Sequence, residues 1–157
     1  LVEKDTNEII KNIYKKAKEN SCDILIPVDC IVSTDFQGEG KNKNLDEIQD
    51  NEIILDIGIN TIDNIKKKID ESNTVLWNGP AGYFENPNFA NGSFEIAKAI
   101  IKKNKNNSIY YVVGGGDTIA LLNKLNSIQD FNFVSTAGGA FLEYLEGKEL
   151  PGIKALN

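Results

Sequence analysis

The chain contains no histidine, no methionine and no arginine, has only two cysteines, and carries no apolar run approaching the ~18 residues of a membrane span. Each gap removes a class of function. Without histidine, and with Cys22 and Cys30 outside any C-x-x-C spacing, a thiolate or imidazole metal site has no ligand set, so both cysteines read as buried reduced thiols of a cytosolic protein. All seventeen basic residues are lysine, so nothing can make a bidentate guanidinium clamp on a phosphate or carboxylate. Nothing resembles a signal peptide, and the expected location is cytoplasmic, with no membrane partner. A sequence without methionine even at position 1 is expected to be a fragment or a processed product, and Leu1-Val2-Glu3-Lys4 run into a helix with no strand ahead of it.

What is present is enough for one core: 157 residues, 41% hydrophobic and 25% charged, with a length that suggests one domain. The net charge of -6, with lysines scattered among carboxylates, argues against a nucleic-acid partner, because affinity for a phosphate backbone is built from clustered cations.

Asp5-Thr6-Asn7-Glu8 has the pattern of a capping box, and Ile9, Ile10, Ile13 and Ala17 then mark one face of a helix ending near Asn20. Asp23-Ile24-Leu25-Ile26-Pro27-Val28 reads as a buried strand with proline near its end. The polar stretch from Asp35 to Asp50 reads as a solvated loop or excursion. Ile53 to Gly58 is the next strand, and Asn60 or Thr61 can cap the helix carrying Ile62, Ile65 and Ile69. A strand Thr74-Val75-Leu76-Trp77, a helix from about Asn91 to Asn104, a strand Ile109 to Val113 and a short strand ending near Ser135 complete the alternation. Apolar strands separated by helices predict an α/β fold, a parallel sheet with helices on both faces in a Rossmann-like three-layer arrangement.

In such a sheet the ligand crevice lies beyond the carboxyl ends of the strands. Three junctions there are rich in glycine: Asn78-Gly79-Pro80-Ala81-Gly82-Tyr83-Phe84-Glu85, Gly114-Gly115-Gly116-Asp117-Thr118, and Ser135-Thr136-Ala137-Gly138-Gly139-Ala140. One such cluster is equally well a tight turn or a close helix-to-sheet contact. Three at successive strand ends point to oxyanions approaching main-chain N–H groups at helix starts. Neither G-x-x-x-x-G-K-[ST] nor the full dinucleotide fingerprint is present, since Ile119 stands where the third glycine would be. Asp117 reads either as a helix cap or as a ligand for Mg²⁺ riding on nucleotide phosphates, and Thr118 can donate to a phosphate oxygen. Glu85 is a surface acid or an acceptor for sugar hydroxyls, while Trp77 and Phe84 read as core residues before base-stacking platforms.

The strings Val75-Leu76-Trp77-Asn78-Gly79-Pro80-x-Gly82-x-Phe84-Glu85, Val113 to Thr118, Val134-Ser135-Thr136-x-Gly138-Gly139-Ala140 and Leu145 to Gly152 occur in the order found in phosphoglycerate kinase. Leu25-Ile26-Pro27-Val28-Asp29 and Asp56-Ile57-Gly58 extend the resemblance over essentially the whole chain. It implies that residues 1–157 are most of the C-terminal, nucleotide-binding domain, incomplete at its N-terminal side, with the N-terminal substrate domain absent. The family transfers a phosphoryl group reversibly between 1,3-bisphosphoglycerate and ADP, giving 3-phosphoglycerate and ATP. By resemblance, Asp117 would hold Mg²⁺, and Gly115, Gly116 and Thr118 would lie on the phosphates. Asn78 and Pro80 would line the nucleotide site, Glu85 would take the ribose hydroxyls, and Gly138 and Gly139 would turn backbone N–H groups toward the phosphoryl group in transfer. The resemblance also implies that the full-length enzyme is a monomer, that 3-phosphoglycerate or 1,3-bisphosphoglycerate is met through the absent domain, and that the isolated fragment is inactive.

Three positions depart from the family pattern: Ala137 and Phe141 in and after the last cluster, and Ile59 where a proline is expected after Gly58. A rival reading is a non-catalytic nucleotide-binding or interaction module that keeps the fold. A nicotinamide-dependent oxidoreductase is disfavoured by the failed fingerprint.

Overall fold

A computed structural model describes residues 5–104 and 110–156 of the chain. The stretch Leu1 to Lys4 and the expected strand start at Ile109 lie outside the described residues. Helix α1 (Asn7–Glu19) follows the isoleucine periodicity and stops at Asn20, whose N–H donates to the carbonyls of Lys16 and Ala17. The expected capping box does not form. Thr6 is the N-cap and makes no side-chain cap bond, Asp5 sits one residue too early with φ 61°, and Glu8 pairs instead with Lys11 at 2.8 Å. The apolar face of α1 (Ile9, Ile10, Ile13 and Tyr14) is exposed.

The expected strand at residues 23–28 is displaced. Pairing begins only at β1 (Asp29–Ser33), and Ile24, Leu25, Ile26 and Val28 stand exposed and unpaired in any sheet. Pro27 cannot donate to a ladder, and no strand among the described residues pairs with this segment. β1 is flanked by β2 (Lys41–Asn44) and β3 (Ile53–Ile57), both antiparallel to it. The polar stretch is therefore more than a loop. Its Lys-Asn-Lys-Asn run is an edge strand of the charged kind that resists pairing with other chains, and it leads into a single 3-10 turn, Leu45–Glu47. That turn does carry a capping box, with the Asn44 N–H donating to the Glu47 carboxylate at 2.9 Å. β3 was expected in the parallel sheet, and its antiparallel partner is the second correction to that reading; the alternation of elements says nothing about which strands are neighbours.

Helix α2 (Ile59–Glu71) starts at Gly58, and neither Asn60 nor Thr61 caps it with its own side chain. The cap comes from β1. The buried Asp29 carboxylate accepts the N–H groups of Asn60 (3.0 Å) and Thr61 (2.8 Å), the Thr61 hydroxyl (2.7 Å) and the Asn42 amide (3.2 Å). A Cβ on Gly58 would collide with this carboxylate, which fixes glycine there. Asn42 also accepts the Ile59 N–H at 3.1 Å, a bond that the expected proline could not make.

The second sheet is parallel, in the order β4-β5-β6: β4 (Thr74–Asn78), β5 (Tyr110–Gly114) and β6 (Phe133–Ser135). Helix α3 (Asn91–Asn104) lies between β4 and β5 in the chain, α4 (Gly116–Lys124) follows β5, and α5 (Gly138–Leu145) and the short α6 (Pro151–Lys154) follow β6. This is the α/β arrangement expected. Its core joins Trp77, Ile100, Tyr111, Val113, Leu121 and Leu122, so Trp77 and the equally buried Phe84 are core residues as read. Cys30 is buried in β1, but Cys22 is exposed, contrary to expectation; both are free thiols.

Candidate functional site

The parallel register sets Asn78 opposite Gly114 and Gly114 opposite Ser135, so the ends of three strands lie side by side. The three glycine clusters meet there. A Cβ on Gly115 would lie 2.8 Å from the Asn78 side-chain oxygen, and one on Gly114 would lie 3.1 Å from it. On Gly138 it would stand 3.0 Å from the Gly115 Cα and 3.8 Å from that same oxygen. The Gly115 N–H donates to the Ser135 carbonyl at 3.3 Å, tying the second cluster to the third. Gly115 has φ 91°, a conformation that disfavours any side chain.

Two helices start at this junction. In α4 and α5 the first-turn N–H groups have no intrahelical carbonyl, so Gly116, Asp117 and Thr118 on one side and Gly138 and Gly139 on the other carry donors and the positive end of a helix dipole. Gly116 and Gly139 are exposed, and a Cβ on either would meet nothing within 4 Å. Asp117 is exposed in the first turn of α4, while Gly115 is the N-cap and the helix has no side-chain cap, so Asp117 does not serve as one. Thr118 is fully buried, and its Oγ1 accepts the Gly79 N–H at 2.8 Å.

Beyond β4 the chain turns at Gly79, with φ 100°, and Pro80 faces an apolar cavity of about 620 Å³. Ile54, Leu55, Ala81 and Tyr83 share its lining with Asp56. Burial pushes the Asp56 carboxyl above the usual carboxylate range, partly offset by the N–H groups of Gly92 (2.7 Å) and Ile57 (2.8 Å). Glu85 is exposed just past the buried Phe84. Lys124, at the end of α4, holds that turn: its ammonium donates to the Phe84 carbonyl at 3.3 Å and lies 4.9 Å from the centre of the Phe84 ring. The departures fit locally. Phe141 packs its ring edge against the place a Gly114 Cβ would occupy, and Ala137 is the N-cap of α5, its N–H on the Ser135 hydroxyl at 3.3 Å.

A family model described as phosphoglycerate kinase matches residues 1–148. The chain belongs to the phosphoglycerate kinase family. Phosphoglycerate kinase of Methylorubrum extorquens (strain PA1) is 44% identical over 158 residues, covering 99% of this chain and 40% of that protein. The Rhodopseudomonas palustris phosphoglycerate kinase is 43% identical over the same shares. The solved structure of phosphoglycerate kinase from Coxiella burnetii superposes with a TM-score of 0.87 at 40% identity, over 97% of this chain and 39% of that one. That from Pyrococcus horikoshii OT3 gives 0.70 at 30% identity, over 99% and 40%. This chain thus spans about 40% of the length of the phosphoglycerate kinases it matches. No helix among the described residues is long and apolar enough to cross a membrane.

The structure sets Asn78, Gly115 and Gly138 side by side, with Gly116, Asp117 and Gly139 next to them along the chain. Sequence reasoning missed the wall of the cavity formed by Ile54 and Leu55, whose only signal was the Asp56-Ile57-Gly58 string beside them. It also missed Lys124, which reads in sequence as one more helix-terminal lysine.

Proposed function

We propose that this chain is most of the C-terminal domain of a phosphoglycerate kinase and binds ADP or ATP at the junction of β4, β5 and β6. The observation that carries this is the meeting of Asn78, Gly115 and Gly138 at one edge of the sheet, with two helix starts facing it. The base would enter the apolar cavity at Pro80, Glu85 would accept from the ribose hydroxyls, and the phosphates would lie against Gly115 and on the N–H groups of Gly116 and Thr118.

The donor set suits Mg²⁺ carried by a nucleotide. Among the described residues no group of three acidic, cysteine or histidine side chains comes together, so an all-protein cage is absent, while the exposed Asp117 carboxylate stands beside a cradle that any Cβ on Gly115 would narrow. Mg²⁺ asks for little more from protein, because water and phosphate oxygens fill the rest of its octahedron. Bound there, the ion would neutralise phosphate charge. Gly138 and Gly139 would offer N–H groups to the phosphoryl group moving reversibly between 1,3-bisphosphoglycerate and ADP, and that reaction needs positioning and charge neutralisation more than covalent help. The phosphoglycerate side would be supplied by a domain outside this chain.

Calorimetric titration of the folded 157-residue chain with Mg-ADP tests the reading. Saturable, weak binding is expected, strengthened by Mg²⁺. A folded chain that shows no saturable binding would refute it.

A further inference from the structure

Thr118 stands at the mouth of the proposed phosphate cradle, its hydroxyl oxygen 3.7 Å from where a Cβ on Gly115 would lie, yet that oxygen is already engaged by another strand end. The side chain is fully buried, and its oxygen accepts the N–H of Gly79 at 2.8 Å, thirty-nine residues away in sequence. The next peptide is held as well, because the Trp77 indole N–H donates to the Gly79 carbonyl at 2.8 Å. Trp77 is itself 8% exposed and anchored in the core. Gly79 is therefore gripped at both its polar groups. A Cβ there would meet nothing within 4 Å, so what glycine provides is the backbone angle of φ 100°, and the two side chains hold that angle. On either side of Gly79 stand Asn78, whose oxygen faces Gly115, and Pro80, which lines the cavity.

We infer that Thr118 and Trp77 are positioning residues that clamp Gly79, and through it set Asn78 against the glycine junction and Pro80 against the base cavity. The inference rests on the nucleotide reading above for its consequence, and on the two hydrogen bonds alone for the clamp. It predicts a pattern that a phosphate ligand would not give. A threonine that donates to phosphate matters only to ligands that have phosphates, whereas a threonine that positions Pro80 matters to adenosine as well as to ADP.

The test compares the parent chain with Thr118→Val, which keeps the shape and removes the acceptor, and Thr118→Ser, which restores an acceptor. Amide hydrogen exchange at Gly79, followed by NMR on the unliganded chain, should quicken on the order of tenfold or more in T118V and return toward the parent rate in T118S. Affinities for adenosine and for ADP should both fall in T118V, adenosine on the order of tenfold and ADP by at least as much because Asn78 is released too, and both should recover in T118S. Trp77→Phe, which removes the indole donor, releases the same residue from its carbonyl side and should lower both affinities together, so the inference stays testable if T118V does not fold. Loss of ADP affinity with adenosine binding intact and unchanged Gly79 exchange would overturn the inference and make Thr118 a phosphate ligand. If the parent chain binds neither compound, the nucleotide reading fails, and Gly79 exchange alone decides the clamp: quickened in T118V it stands, unchanged it falls.

Discussion

The side-chain oxygen of Asn78, at the end of β4, lies 2.8 Å from the position that a Cβ on Gly115 would take after β5. With φ 91° at Gly115, there is room for neither a side chain nor its backbone preference. Gly115→Ala is expected to destabilise the chain by about 1–3 kcal/mol through strain. It should also weaken ADP binding beyond any loss of fold, because Asn78 must move. Urea unfolding and an ADP titration of the folded variant check both parts. A variant that binds ADP as the parent does would mean that the junction is not the phosphate site.

Stability against acid should depend on Asp29. Burial alone would raise its pKa, but the hydrogen bonds from Thr61, Asn60 and Asn42 outweigh burial and hold it below the ordinary range. A carboxyl lowered on folding contributes stability above its unfolded pKa of ~3.9 and loses it as pH falls through the folded value. Asp56, raised by burial, has the opposite sign: its contribution is complete below the unfolded pKa and fades as pH rises through its folded value. Asp29→Asn is expected to cost about 1–3 kcal/mol at pH 7, since one N–H at the start of α2 loses its acceptor. The difference from the parent should shrink below pH ~4 in denaturant melts taken across pH. A constant difference down to pH ~2 would contradict this.

The same two acids show what was legible in the sequence and what was not. The glycine junctions could be placed because each lies directly after a short apolar run, and parallel strands deliver such junctions to one edge. The cap of α2 could not be foreseen, because Asp29 acts on Asn60 and Thr61, thirty-one and thirty-two residues later in the chain, and no local pattern announces a cap supplied from another element. The segment at 23–28 is strand-like by composition, yet a strand exists only with a partner to pair with, which composition does not encode. Thr118 was legible as a hydroxyl near a phosphate cradle. The direction in which it points was not.

The exposed aliphatic side chains of α1 and of the segment at 23–28 predict self-association. Ile10 is 45% exposed, Ile13 50% and Ile26 56%, so large aliphatic side chains stand in solvent in both segments. Light scattering should show apparent mass rising with concentration, and Ile10→Lys with Ile13→Lys should suppress the rise. A parent chain that remains monomeric at high concentration would contradict this.

Asp117→Asn should weaken Mg-ADP binding by severalfold or more while leaving metal-free ADP binding nearly unchanged, because the amide keeps the shape and removes the charge that Mg²⁺ requires. The helix should lose no more than the modest contribution of a first-turn carboxylate to its dipole, as Asp117 does not cap α4. Calorimetry with and without Mg²⁺ on both proteins gives the comparison, and equal losses in the two conditions would remove Asp117 from the metal.

The chain alone should not turn over. It has no arginine and spans 40% of its relatives' length, and each missing group that neutralises transition-state charge can cost several kcal/mol. A coupled assay with 3-phosphoglycerate and Mg-ATP should read background. Turnover abolished by Asp117→Asn would show that these residues suffice.

The most direct test of the nucleotide junction is to map Mg-ADP onto the folded chain by amide chemical shifts. The largest changes are expected at Gly115, Gly116, Thr118, Gly138 and Gly139, with a second group at Ile54, Leu55 and Ala81 around the base cavity. Shifts confined to the polar groove between α2 and α3, at Lys66, Lys98 and Lys102, would mean that ADP is held by surface lysines and that the convergence of three strand ends is a matter of packing alone.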